Sequence, residues 1–143
     1  MNEELKEAIF EGEYKKAFFL INRVPFRTAE QMLFTLSYDT ESISICFFVE
    51  YLYLVTNEIK WLRLNISLLL NPFCYLEGAY SSATFLLKKI IDIEHNPIDL
   101  ETLLFIFDSP ENTLKHEDGV KYAKMLLEIE KDNMIAKKVL GLI

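Results

Sequence analysis

The sequence predicts an all-α protein of eight or nine short antiparallel helices, on three observations. Apolar residues recur at three- and four-residue steps through almost the whole chain, the spacing that builds one face of a helix. Only four Gly and four Pro occur in 143 residues, too few for the tight turns of an all-β chain. No segment combines strict alternation with hairpin turn chemistry. A chain of this length fits a single domain over residues 1–143, burying about two thirds of its unfolded surface.

The elements follow in order. Leu5, Ala8 and Ile9 share one helix face, Gly12 interrupts, and Tyr14, Ala17, Phe18 and Ile21 restart the pattern before Pro25 ends it. Thr28-Ala29-Glu30-Gln31 has the form of a capping box, Thr at N-cap and Gln at N3, opening a helix through Met32, Leu33 and Leu36. Asp39-Thr40 marks its end. Residues 41–56 are apolar on most sides, which places that helix in the middle of the stack. A fifth helix carries Trp61, Leu62, Leu64, Leu68 and Leu69 and stops near Asn71-Pro72, and residues 73–77 read as either linker or early helix. Residues 78–93 turn Ala83, Leu86, Leu87, Ile90 and Ile91 inward. Asn96-Pro97 is an N-cap followed by proline at the first helical position, opening IDLETLLFIF, and Ser109-Pro110 breaks it. Helices near 116–130 and 133–141 close the chain, with Asp132 as the cap between them.

Composition narrows the function. Cys46 and Cys74 both lie in apolar runs, the habit of buried free thiols, and fit a reduced, cytosolic compartment. The N-terminus lacks a basic region followed by an apolar one, so no secretory signal is read. The most apolar run, ISICFFVEYLYLV, is 13 residues long and carries Glu50, whereas a membrane span needs about 20. A net charge of −7 argues against a direct nucleic-acid ligand. That charge is local: residues 92–118 carry −7 by themselves, with Lys115 the single cation among eight acids.

Glycine-rich phosphate loops, G-x-S-x-G and H-E-x-x-H are all missing, and nothing in the sequence asks for a cofactor or metal. His95 and His116 stand in polar stretches at helix boundaries and read as turn or capping residues. The expectation is a protein that is not an enzyme. Trp61, Tyr51, Tyr53 and Tyr75 read as core. Glu50, alone in an aromatic helix, reads as emerging at an edge or pairing with a cation, with a groove-lining role as the alternative. The acidic block has two readings: a solvated surface with acids matched to helix N-termini, or a docking face for a basic protein. On the second, Glu94, Asp99, Glu101, Asp108, Glu111, Glu117 and Asp118 are the candidate partner-binding residues.

Repetition adds to this. GAYSSATFLLKKIIDIEHNP at 78–97 is echoed by GEYKKA at 12–17, 66 residues earlier, and by YAKMLLEIEKDN at 122–133. The placement of Gly78, Tyr80, Ala83, Leu87, Ile90, Ile91 and Ile93 resembles the second helix of a tetratricopeptide repeat, and 66 residues is about two 34-residue periods. The resemblance covers roughly 60% of the chain and implies a degenerate α-solenoid of stacked helix pairs. Residues 131 and 119 depart from the pattern, with Lys for proline and Gly for alanine, and 27–56 does not match a repeat clearly. The order of a tryptophan-bearing helix, LEGAY, a KK-bearing helix, IDLETLLFIFDSPENTL and LLEIEKDN is similar to that of small acidic immunity proteins encoded beside wall-associated Rhs-type polymorphic toxins of Gram-positive bacteria. That likeness implies a cytoplasmic antitoxin that binds the C-terminal toxic domain of a secreted toxin. The competing expectation is a tetratricopeptide-like adaptor that captures a peptide segment of a protein partner.

Overall fold

The computed structural model describes residues 2–143. Among them are nine α-helices and no strand: α1 (Asn2–Phe10), α2 (Tyr14–Ile21), α3 (Phe26–Thr40), α4 (Ser44–Thr56), α5 (Ile59–Leu70), α6 (Ala79–Ile93), α7 (Pro97–Phe107), α8 (His116–Ile129) and α9 (Met134–Val139). No helix of the described residues is long and apolar enough to cross a membrane. The helices gather into two compact units, one running to Ala79 and the other from Tyr80 to Ile143.

The first unit is built on α1, which packs against α2, α3 and α4 and buries Leu5, Ala8 and Ile9. Gly12 ends α1 at φ 72°, the left-handed conformation that glycine reaches without a Cβ penalty, and Glu13 N–H returns to the Ala8 carbonyl at 2.8 Å. Pro25, extended at ψ 152°, delivers the chain directly into α3 at Phe26. The capping box expected at Thr28 therefore does not form. The ring of Phe26 meets Trp61 of α5 edge-on at 5.2 Å, which is a tertiary reason for the earlier start. Glu41 and Asn57, both left-handed, close α3 and α4 by donating their backbone N–H groups to Ser37 and Tyr53. The helix α4 makes its most extensive pairing with α5 and buries Ile45, Phe48, Val49 and Leu52. It does not lie enclosed in the middle, as its composition suggested: Ile43, Phe47, Glu50 and Leu54 form an exposed stripe along it.

In the second unit Leu100, Leu103 and Leu104 of α7 are buried with Ala123 and Leu126 of α8 and Ala136 of α9. The helices α7 and α8 form an antiparallel hairpin in which Phe107, near the end of one, covers Gly119, near the start of the other. Alanine would suit a repeat at 119, but its Cβ would stand 2.5 Å from the Phe107 ring. The side chain of Asn96 caps α7 as expected, accepting from Ile98 N–H at 2.9 Å, whereas α9 is capped by Asn133 rather than Asp132. Residues 73–77 are turns, with Phe73 buried and Tyr75 exposed, contrary to the core placement expected for Tyr75. Gly78 precedes α6 at φ 84° with open space around it, so its conformation and not crowding requires glycine there.

Candidate docking surface

The helix pair α7 and α9 runs in one direction, tied at two points. Asn133 Nδ2, at the start of α9, donates to Glu101 Oε2 midway along α7 at 2.8 Å, and Lys138 Nζ donates to Asp108 Oδ2 at 2.7 Å near the ends of both. A second pair of contacts advances together along α6 and the approach to α8. Thr113 Oγ1 donates to Thr84 Oγ1 at 2.8 Å, and Lys88 meets Asp118 at 3.5 Å. Both ion pairs are partly solvated and contribute up to about 1 kcal/mol each.

These ties redistribute the acids of residues 92–118. Asp99 is only 4% exposed in the first turn of α7, so it is withdrawn from any docking face. Its side of the turn faces inward, while the neighbouring Ile98 faces outward. Glu101, Asp108 and Asp118 hold helices together, each with a named partner. Glu94, Glu111 and Glu117 are exposed: Glu94 follows the end of α6, Glu111 lies in the turn after α7, and Glu117 stands in the first turn of α8. The block is therefore part bracing and part solvent-facing surface. Of the seven candidate carboxylates, Asp99 is buried and three are engaged with neighbouring helices.

What the sequence reading missed is apolar. Ile98 is 73% exposed and Phe105 57%, both on the outer side of α7, and Met134 at the start of α9 is exposed as well. Ile98, Glu101, Phe105 and Asp108 succeed one another at three- and four-residue steps, so apolar and acidic groups alternate down one side of α7. The signal was present in IDLETLLFIF: a segment apolar around its whole circumference in so small a protein has no second core to bury its outer side.

Titration adds little to this surface. The phenol of Tyr122 is pushed up by burial, reinforced by the Asp92 and Asp118 carboxylates. His95 and His116 are exposed, and His116 opens α8 beside the Phe107 ring. Among the described residues no three His, Cys, Asp or Glu side chains gather as a metal site. Such a surface can grip a complementary macromolecule by contact and charge. Comparison of the chain with protein-family models, with curated proteins and with solved structures found no match in any of the three.

Proposed function

We propose that the protein acts by stoichiometric binding, as an immunity protein that occludes the active cleft of a cognate secreted toxin, the toxin being a nuclease. The observation that carries this reading is the exposure of Ile98 and Phe105 on one side of α7. Affinity in protein complexes comes from a few desolvated anchors, whereas charge mainly sets association rate and specificity. The two apolar side chains supply anchors, and Glu94, Glu111 and Glu117 supply a negative field. A nuclease domain is basic where it holds phosphates, so an acidic inhibitor matches the cleft it must block. The shared direction of α7 with α9 supports a tetratricopeptide-like stacking of helices.

The test is a search of the gene's neighbourhood for a secreted toxin, followed by titration calorimetry with that toxin's C-terminal domain and growth protection; a neighbourhood without such a gene counts against the reading. Wild type gives one-to-one binding and protection, and Ile98→Asp with Phe105→Asp abolishes both while far-UV circular dichroism is unchanged. Full protection by that double variant overturns this placement of the site. A second reading is an adaptor for a short peptide. It is favoured by Ile98, Phe105 and Met134 standing on neighbouring helices that run the same way, where an extended apolar segment could lie across them. Weak dependence of binding on salt favours the adaptor, and a steep one favours the acidic inhibitor.

A further inference from the structure

The first unit carries its own exposed stripe. Along α4, Ile43, Phe47, Glu50 and Leu54 follow one another at steps of four, three and four residues, the spacing of a coiled-coil seam. Phe47 is 57% exposed and Leu54 70%. Glu50 is exposed among them and has no cation partner among the described residues. A lone carboxylate flanking an apolar seam, like the charged residues beside a coiled-coil core, sets partner choice and orientation.

The stripe has two unlike edges. Consecutive residues stand about 100° apart around a helix, so Glu50 lies on one edge and Tyr51 on the other, with Ile43, Phe47 and Leu54 between them. The Tyr51 edge borders α2: its ring lies 5.5 Å from Tyr14 and 6.4 Å from Phe18. There an open hollow of about 590 Å³ is lined by Gly12, Glu13, Tyr14, Lys15, Lys16 and Tyr51. Glu13 is engaged with Glu11, and Lys16 also faces Glu11. Lys15 is exposed at the rim of this hollow.

We infer that this face is a self-association surface, and that its occupant is the α4 face of a second copy of the chain. In a two-fold dimer, residue i meets j and j meets i, so a patch must carry its own complement. This one does. With the two-fold axis along α4, the Glu50 edge of one copy lies over the lysine edge of the other. The Glu50 to Lys15/Lys16 contact is then made twice, while the three apolar residues pack along the axis. A foreign partner would need no such matched pair of opposite edges. The inference is independent of the docking surface on α7 and survives if the toxin reading fails.

The test is sedimentation velocity over a concentration series, with native mass spectrometry of mixtures. Wild type dimerises with increasing concentration. Glu50→Lys alone, and Lys15→Glu with Lys16→Glu alone, each weaken self-association by roughly tenfold or more, because both edges then carry like charge. Mixing these two variants restores dimers that contain one copy of each, since both contacts are again between opposite charges. Phe47→Gln weakens association without any change of charge, and circular dichroism shows each variant to be folded. Wild type that stays monomeric at every accessible concentration overturns the inference, and so does a mixture that fails to form the mixed dimer.

Discussion

Phe107 lies across Gly119 so closely that a single added carbon would stand 2.5 Å from its ring. The Phe107 ring thus packs directly onto the bare face of Gly119 where α7 and α8 meet. Alanine in a helix interior is ordinarily better than glycine by about 1 kcal/mol, whereas overpacking costs roughly 1–3 kcal/mol. Gly119→Ala is expected to destabilise the protein by about 1 kcal/mol net of these terms. In a Phe107→Ala background the same change is expected to stabilise by about 1 kcal/mol. Urea denaturation of the four proteins in this double-mutant cycle checks it, and equal effects in both backgrounds would disprove the contact.

Asn133 does two jobs at the start of α9, accepting from Ala136 N–H and donating to Glu101. Asn133→Ala should cost about 1–2 kcal/mol through loss of the cap. Asp132→Ala, which loses an exposed ion pair with Lys137, should cost at most about 0.5 kcal/mol. Thermal unfolding of the two variants distinguishes them, and a reversed ranking would move the cap back to Asp132.

The exposed and the bracing acids should separate experimentally. Glu111→Lys with Glu117→Lys is expected to slow association with a basic partner, most at low salt, at a cost of about 0.3–1 kcal/mol in stability because Glu117 stands in the first turn of α8. Asp108→Asn and Asp118→Asn should instead lower stability by up to about 1 kcal/mol each. Stopped-flow association at two salt concentrations reads the first effect and denaturant midpoints read the second.

The two thiols differ sharply. Burial pushes the Cys46 thiol up from its ordinary 9.0 to about 12, while Cys74 is exposed, contrary to its apolar sequence context. A thiol reagent near pH 8 should modify Cys74 quickly and Cys46 only on unfolding. Because the folded pKa is the higher one, the contribution of a protonated Cys46 to stability is complete below pH 9.0 and is lost as pH rises toward about 12. Cys46→Ala should flatten the alkaline part of the stability profile, and two equally fast labelling events would contradict the burial.

Helical periodicity made the α-helices legible, and Asn96-Pro97 announced the start of α7 because cap and proline are local signals. Thr28 misled for the opposite reason: the start of α3 is set by Phe26 reaching Trp61, a contact between residues far apart in sequence. Composition put α4 inside, yet a helix rich in apolar residues can still present one side outward, as Ile43, Phe47 and Leu54 do. The acids of 92–118 were visible as a cluster. Which of them faced water was not, since the inward turn of Asp99 and the ties of Glu101, Asp108 and Asp118 depend on neighbouring helices.

A helix of six residues cannot persist alone in water, so α9 owes its order to what it leans on. Its two fastenings respond to different agents. Added electrolyte screens the Lys138 rung but spares the Asn133 rung, which has only one charged member. Raising ionic strength should thus unzip the C-terminal end from Val139 backward while Met134 stays seated. Amide exchange would record this as protection retreating toward the Asn133 end.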